Sequence, residues 1–323
     1  MTAVLAPIDG SARALRAVPW AAKLAEPAGL VVLLRVVPAK PDYAKSLFEL
    51  VGAEDNVRNI QDAWSRTATA ELNDAAESIA GSGVAVELLV AAGEPDEEIV
   101  ATSEQRGVDM IVMASHGRGA FGRAIFGSVA DRVARTSSVP VLILRTSDED
   151  ADNNIVVSRI VVPLDGSEIA NRALLVATTL AKLFGVPIHI VRAFDPISTL
   201  PMAPGVFGAT PPISAEVSDR IWQEAESEAR STVNEAVSRL NADGVEVSGA
   251  IINGSAFFAI SEAIQPGDLL VLTSHGRGGV RRWLLGSVAE KLVREADAPV
   301  LLVPAKERVE SRETVPLPHH DLS

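Results

Sequence analysis

Residues 113–128 read Met-Ala-Ser-His-Gly-Arg-Gly-Ala-Phe-Gly-Arg-Ala-Ile-Phe-Gly-Ser, and residues 272–287 read Leu-Thr-Ser-His-Gly-Arg-Gly-Gly-Val-Arg-Arg-Trp-Leu-Leu-Gly-Ser. Both stretches contain Ser-His-Gly-Arg-Gly, and both end in Gly-Ser at the same spacing from it. A pattern of this length that recurs in register within one chain indicates a tandem repeat.

Each stretch joins a strand pattern to a helix pattern. The apolar run Met110–Met113 is typical of a buried strand, whereas residues 129–135 have the apolar spacing of a helix. A glycine-rich loop that leads from a strand into a helix presents free backbone N–H groups and the positive end of the helix dipole. The pattern therefore predicts an anion-binding loop in each half of the chain.

Composition restricts the function classes. The 323 residues suit two domains of roughly 150 residues each. The net charge of −13 argues against nucleic acid or an anionic membrane as the main partner, because those surfaces bind basic faces. The chain contains no cysteine, which excludes disulfides, thiol catalysis and zinc–thiolate sites. We see neither a signal-peptide pattern nor an apolar run long enough to span a bilayer, so we expect a cytoplasmic protein.

Apolar runs alternate with amphipathic patterns through both halves. This alternation predicts an α/β fold in which parallel strands are covered on both faces by helices. The acidic, core-poor segment between the halves is typical of a linker. We expect a first domain at 1–147, an acidic linker at 148–158, a second domain at 159–306 and a loose C-terminal tail at 307–323.

An Asp-Gly-Ser turn follows the first strand of each half, at Asp9 and at Asp165. In parallel sheets, ligands bind at the carboxyl ends of the strands, where the strand order reverses. If strands one and four are neighbours on either side of that reversal, the aspartate and the glycine-rich loop meet at one edge. The alternative is that each aspartate only closes its own turn through an Asx hydrogen bond.

The fifth strand of each half, Val139–Leu144 and Pro299–Val303, has the pattern of an apolar edge strand. Exposed edges favour pairing, so we expect strand five of one half to pair with strand five of another, either within one chain or in a homodimer. The apolar, proline-rich segment 195–213 has no counterpart of similar composition in the first half. We expect this segment to form a lid or to contact a protein partner.

These markers resemble the universal stress protein family in its tandem two-domain form. They are Pro-x-Asp-Gly-Ser after strand one, a glycine after strand three, Ser-His-Gly-Arg-Gly after strand four, and Gly-Ser before the last helix. The resemblance covers nearly all of both halves. It implies two repeated five-stranded parallel sheets in the strand order 3-2-1-4-5, a Rossmann-like arrangement similar to that of the adenine-nucleotide α-hydrolases.

The same resemblance implies an adenine nucleotide in each half, namely ATP, or else ADP or AMP, with Mg²⁺ accompanying ATP. It places adenine near the ends of strands one and two and the phosphates on the loop N–H groups, and it turns both aspartates toward the ribose or a phosphate-bound Mg²⁺. In the first half, the implied contacts are Ile8, Asp9, Val37, Met113, Ala114, Gly117, Arg118, Gly127, Ser128 and Val129. In the second half, they are Leu164, Asp165, Ala193, Leu272, Thr273, Gly276, Arg277, Gly286, Ser287 and Val288.

The sequence departs from the family pattern at one glycine. The ATP-binding members carry Gly-x-x-Gly-x9-Gly-Ser/Thr, and here Ala114 and Thr273 replace the first glycine. Alanine is tolerated where φ is negative. Threonine is disfavoured where φ is positive or where a phosphate must approach the backbone closely. The substitution therefore argues more strongly against nucleotide binding in the second half than in the first.

Other interpretations of the loop residues compete with ligand contact. Ser128 and Ser287 each stand three residues before an acidic residue, which is the spacing of a helix capping box. His116 and His275 lack the neighbours of a nucleophilic serine or of a metal pair, so we expect them to orient the loop by hydrogen bonding. The Gly-Lys-Ser/Thr end of a Walker loop is absent, and no general base accompanies the loop. We expect nucleotide binding without efficient turnover.

Three functions remain open at this level. The first is a nucleotide-binding regulator of the stress response, in which nucleotide occupancy shifts a conformation or an interface. The second is an interaction or scaffold protein in which one or both nucleotide sites are degenerate. The third is a slow ATPase or self-phosphorylating protein.

Overall fold

A computed structural model describes residues 2–26, 28–39, 54–116, 127–146, 155–196, 215–274 and 285–305. In the first half, strands and helices alternate in the order β1 (Ala3–Ile8), α1 (Ala17–Ala25), β2 (Leu30–Val37), α2 (Glu54–Glu77), β3 (Ala85–Ala92), α3 (Pro95–Gln105), β4 (Met110–His116), α4 (Ser128–Thr136) and β5 (Val141–Thr146). The second half repeats this order with β6 (Arg159–Pro163), α5 (Ala170–Phe184), β7 (Ile188–Phe194), α6 (Ala215–Ala242), β8 (Val247–Asn253), α7 (Ala256–Ala263), β9 (Asp268–Thr273), α8 (Ser287–Glu295) and β10 (Val300–Val303).

All ten of these strands form one sheet in the order β3-β2-β1-β4-β5-β10-β9-β6-β7-β8. Within each half the pairings are parallel, as where Leu5 lies opposite Val32 and Ile160 lies opposite Ile188. Each half therefore has the strand order 3-2-1-4-5. The predicted α/β fold with two repeated five-stranded parallel sheets is confirmed.

The strands are apolar on both faces because helices cover both faces of the sheet. In β1, Val4 and Ala6 pack into the layer that contains α1, whereas Leu5 packs into the layer that contains α4. All three side chains are fully buried. Each layer of buried side chains includes residues of both halves, so the two halves share their core on both sides of the sheet.

The halves join where β5 pairs with β10, and this pairing is antiparallel. Leu142 lies opposite Leu301 in the ladder, and both side chains are buried. An apolar strand gains hydrogen-bond partners and burial when its exposed edge is paired. The predicted pairing of strand-five edges is thus confirmed in its intrachain form.

Side chains on both faces of the sheet reinforce this seam. On one face, Arg135 forms two hydrogen bonds with Asp131 in its own helix α4 and lies 3.4 Å from the carboxylate of Glu290 in α8. On the other face, the rings of Trp20 in α1 and Phe184 in α5 meet edge to face, with 6.3 Å between their centroids. The two halves are therefore linked by the sheet and by both helical layers.

The antiparallel pairing at the seam places the corresponding strand ends of the two halves far apart. Strands within each half are parallel, whereas β5 and β10 are antiparallel, so the strands of the two halves point in opposite directions. The carboxyl ends of β1 and β4 lie at one edge of the sheet, and those of β6 and β9 lie at the opposite edge. The two glycine-rich loops consequently start from opposite edges.

Three predicted boundaries of the fifth strands are wrong, one of them the end of β5, which is Thr146 rather than Leu144. Strand β5 begins at Val141 rather than at Val139, and β10 begins at Val300 rather than at Pro299. The hydroxyl of Ser137 donates to the carbonyl of Val139 at 2.8 Å and accepts its N–H at 3.1 Å, which holds this segment in a local turn. The strands start after Pro140 and Pro299, which have no N–H to donate to a ladder.

Some sequence predictions concern residues outside the described ranges. They include Gly117, Arg118, Gly276 and Arg277, most of the 148–158 linker, nearly all of the 195–213 segment, and the tail at 307–323. The domain boundaries stay predictions. No helix in the described ranges combines the length and the apolar character needed to cross a bilayer.

The shared core makes the seam a determinant of stability. We expect Leu301→Ala to lower the free energy of unfolding by about 3 kcal/mol, because this side chain is 1% exposed and truncation leaves a cavity in the joined core. Leu175→Ala is the matched control: its leucine is 72% exposed, and we expect a change within about 0.5 kcal/mol. Urea unfolding of both variants measures the difference, and equal losses would contradict a core that runs through the seam.

Candidate functional site

The glycine-rich loops lead into α4 and α8, whose first residues are described. Gly127 is the N-cap of α4, with φ −60° and ψ 139°, and Ser128 is the first helical residue. Gly286, with φ −60° and ψ 145°, and Ser287 take the same places in α8. Both serines are exposed, and neither helix has a side-chain cap. The capping-box alternative is wrong, because the glycines occupy the cap position and the serines follow it.

The two helix ends leave backbone donors available. The carbonyl of Gly127 accepts the N–H of Asp131 at 2.9 Å, and the carbonyl of Gly286 accepts the N–H of Glu290 at 2.8 Å. The backbone N–H groups of the three residues that precede Asp131, and of the three that precede Glu290, have no acceptor within the helix. In the described ranges, no other group accepts a hydrogen bond from them. The positive end of the helix dipole coincides with them. Each helix start therefore suits an anion.

A hydrogen bond closes the base of each loop. In the first half, the N–H of Gly127 donates to the hydroxyl oxygen of Ser115, at 3.2 Å. In the second half, the N–H of Gly286 donates to the backbone carbonyl of Ser274, at 2.8 Å. Both serines are buried at the strand ends. These bonds fix the distance between strand and helix. The sequence pattern does not predict this role for the serines, although a serine stands in both Ser-His-Gly repeats.

The aspartates after β1 and β6 close their own turns. Oδ1 of Asp9 accepts the N–H of Ser11 at 2.9 Å, and Oδ1 of Asp165 accepts the N–H of Ser167 at 3.0 Å. The intervening glycines have φ of 80° and 77°, in the left-handed region that glycine adopts without strain. The Asx-turn interpretation is confirmed for both aspartates, and their contact with a ligand stays a prediction.

The environment of Asp9 keeps its carboxyl group ionised. Partial burial works to raise the pKa of Asp9, but hydrogen bonds from the hydroxyl and N–H of Ser11 and the nearby charge of Arg35 outweigh it. The pKa of Asp9 therefore lies below its ordinary value of 3.8. An ionised carboxylate at this edge can accept hydrogen bonds from hydroxyl groups or bind a cation.

The strand order brings the carboxyl ends of the strands that carry the described site residues to one edge in each half. Val4 pairs with Met110, so β1 and β4 are neighbours, and Ile160 pairs with Leu269, so β6 and β9 are neighbours. The strand order reverses at these pairs, which is where such sheets bind ligands. The predicted apolar contacts near the strand ends are buried or half-buried: Ile8, Val37, Met113, Ala114, Leu164, Ala193, Leu272 and Thr273.

An arginine–glutamate pair accompanies the aspartate turn in both halves. In the first half, Nε of Arg35 in β2 donates to Oε2 of Glu71 in α2 at 2.7 Å. In the second half, Nη2 of Arg192 in β7 lies 3.8 Å from Oε1 of Glu228 in α6. We did not predict these residues from the sequence. The available signal is a single arginine within the mostly apolar run of strand two in each half.

A metal ion at these edges would need ligands beyond the side chains that the structure describes. Within the described ranges, no group of three or more His, Cys, Asp or Glu side chains is placed to hold a metal ion. Asp9 and Asp165 each supply a single carboxylate next to a loop. This donor set fits Mg²⁺ that is already bound to phosphate oxygens, because Mg²⁺ keeps most of its coordination shell for phosphate and water.

Comparisons with known proteins agree on both halves. The sequence profile of the universal stress protein family matches residues 1–145 and residues 157–304. A universal stress protein of Mycolicibacterium smegmatis is 24% identical over 310 residues, which cover 93% of this chain and 96% of that protein. Universal stress protein Rv2005c of Mycobacterium tuberculosis is 28% identical over 198 residues. That match covers 60% of this chain and 61% of the relative, less than two thirds of its length.

The fold is shared with a solved structure. The crystal structure of a universal stress protein from Archaeoglobus fulgidus DSM 4304 superposes with a TM-score of 0.64 at 23% sequence identity. The superposition covers 94% of this chain and 98% of that chain. At this identity the likeness concerns the fold, and it extends over both repeats.

The lowered pKa of Asp9 makes its contribution to stability depend on pH. Because the folded-state pKa lies below the unfolded value near 3.8, the ionised carboxylate stabilises the fold above that value, and this contribution is lost as the pH falls through the folded-state pKa. We expect Asp9→Asn to be less stable than the wild type at neutral pH, with the difference shrinking as the pH drops below 3.8. Urea unfolding at a series of pH values measures it. A difference that stays constant across the series would contradict the ionised, hydrogen-bonded carboxylate.

Proposed function

The chain belongs to the universal stress protein family, and from this premise we propose that each half binds an adenine nucleotide at its strand edge. ATP with Mg²⁺ is the expected ligand, with ADP and AMP as the alternatives to compare. The nucleotide is a regulatory ligand, since its binding shifts the population of a conformation or an interface.

The observation that carries this proposal is the glycine–serine start of α4 and α8. In both halves a glycine with extended φ and ψ precedes an exposed serine, and the first-turn N–H groups point out of the helix end. Phosphate groups suit such a position, because they accept several backbone hydrogen bonds and carry the charge that the helix dipole favours. Backbone donors of this kind recognise phosphate without any lysine.

We assign the base and the ribose to the neighbouring strand ends. Near the end of β1, Ile8 offers apolar area suited to a base, as do Val37 in β2 and Met113 in β4. Asp9 supplies the polar group for a ribose hydroxyl or for Mg²⁺ on the phosphates. Bound Mg²⁺ would neutralise part of the phosphate charge.

Binding without efficient turnover fits the chemistry of this edge. A general base works best when its pKa lies near the operating pH. The pKa of Asp9 is lowered below 3.8, so its carboxylate is a weak proton acceptor for an attacking water. This favours a regulatory ligand over a rapidly hydrolysed substrate.

A second candidate is an interaction protein whose second site is degenerate. At the end of β9, Thr273 is half-buried where the first half has Ala114. A β-branched side chain there stands next to the loop that phosphate would occupy. This candidate differs from the first in stoichiometry, because it allows at most one nucleotide per chain.

We expect Ser128→Pro to weaken Mg·ATP binding to the first half by about tenfold or more, because proline removes the N–H and the hydroxyl of the first helical residue. Proline suits the fold at this position, since it is favoured at the start of helices and since Gly127 already has the extended conformation that precedes proline. Isothermal titration calorimetry measures the affinity.

Ser128→Ala is the matched control, because it removes the hydroxyl and keeps the N–H, and a smaller loss is expected from it. Ser287→Pro tests the second half in the same way, since Gly286 has nearly the same φ and ψ. Unchanged affinity in both proline variants, or a wild-type chain that binds no adenine nucleotide, would show that these helix starts are not the phosphate site.

A further inference from the structure

We infer that Glu71 is a positioning residue of the first nucleotide site, which it supports by holding the Asp9 turn. The inference rests on the proposed nucleotide binding for its functional consequence. The structural part, which concerns the turn itself, can be measured without any ligand.

The carboxylate of Glu71 lies between an arginine and the aspartate turn. Its Oε2 accepts the Nε hydrogen of Arg35 at 2.7 Å. On its other side the same carboxylate rests against Gly10, where an added Cβ would collide with it. Only glycine leaves room for this approach, and only glycine adopts φ of 80° there without strain. Glu71 therefore contacts the residue that directly follows Asp9.

The arginine is itself fixed to the sheet. Arg35 lies opposite Ile8, the last residue of β1, and its Nη1 donates to the carbonyl of Val36 at 2.9 Å. The side chains of Arg35 and Glu71 are 24% and 29% exposed, so solvent screens their attraction less than it screens a fully exposed pair. Contacts thus run without a break from β2 through Arg35 and Glu71 to the turn.

The second half holds its turn in a different way. Nη1 of Arg192 donates directly to the carbonyl of Leu164, the residue before Asp165, at 3.2 Å. The hydroxyl of Ser167 adds a second bond to Oδ1 of Asp165, at 2.6 Å. Glu228 is 62% exposed and lies 3.8 Å from Arg192. The arginine and the serine brace this turn directly, and Glu228 approaches the arginine from a largely exposed position.

The two arrangements have different consequences for a ligand. When Glu71 loses its charge, the first turn samples conformations in which Asp9 is out of position. A ligand that requires the positioned turn then binds only the competent fraction, and its dissociation constant rises by the inverse of that fraction. The same change at Glu228 leaves Arg192 and its bond to Leu164 in place.

The functional test compares Glu71→Gln with Glu228→Gln in the full chain by calorimetric titration with Mg·ATP. We expect one dissociation constant to rise by about tenfold in Glu71→Gln, the size expected for a lost charge-assisted hydrogen bond, and none to change by more than about twofold in Glu228→Gln. Inorganic tripolyphosphate without Mg²⁺ is the second probe. It lacks the ribose and carries no Mg²⁺, which are the groups assigned to Asp9, so its affinity stays unchanged in Glu71→Gln if the glutamate acts through the Asp9 turn.

The structural test measures amide hydrogen exchange in the absence of nucleotide. The N–H of Ser11 is bonded to Asp9, so its exchange reports on the first turn, and the N–H of Ser167 reports on the second. We expect Ser11 to exchange about tenfold faster in Glu71→Gln and Ser167 to exchange at the wild-type rate in Glu228→Gln. Glu71→Ala repeats the test with the contact removed altogether.

Equal effects of the two glutamine substitutions on exchange or on Mg·ATP affinity would overturn the inference, as would weakened tripolyphosphate binding in Glu71→Gln. A wild-type chain that binds no adenine nucleotide would instead overturn the proposed function and leave the exchange result to decide the role of Glu71 in the turn. The two failures are therefore distinguishable.

Discussion

The antiparallel pairing of β5 with β10 is the contact on which the rest of the structure depends. It covers the apolar edge strand that each five-stranded sheet would otherwise expose. Leu142 and Leu301 join the two cores on one face of the sheet, and Ile143 and Val300 join them on the other. The pairing also reverses the direction of the second half. The two candidate sites therefore lie at opposite ends of the strands. Any influence of one site on the other must pass through the seam, where Arg135 lies close to carboxylates of both halves.

The repeated site has a backbone part that is kept and a side-chain part that differs. The capping glycines of α4 and α8 have the same φ and differ by a few degrees in ψ, so the same N–H groups are presented twice. The supports differ, because Ser115 uses its hydroxyl where Ser274 uses its carbonyl, and Glu71 contacts the turn where Glu228 is exposed. Helix geometry fixes the position of the first-turn N–H donors, whereas the side chains that support them can differ between the halves. The two sites are consequently expected to differ in affinity more than in ligand class.

Sequence patterns specify much of this molecule, and their failures have physical causes. Alternating strand and helix patterns, together with the repeated Asp-Gly-Ser turn, predict the parallel sheets and the edge at which Asp9 and the loop meet. The spacing around Ser128 fits both a capping box and a loop end, and only the extended backbone of Gly127 decides between them. The contact between Arg35 and Glu71 depends on how α2 packs against β2, which no local spacing encodes.

The most direct test of the central claim is to denature freshly purified protein and to identify and count any released nucleotide by chromatography. Because the two helix starts have the same geometry, we expect close to two adenine nucleotides per chain once the protein has been saturated with Mg·ATP before denaturation. If Thr273 blocks the second loop, the count is close to one. A chain that releases none, and takes up none on later incubation with Mg·ATP, would contradict the account.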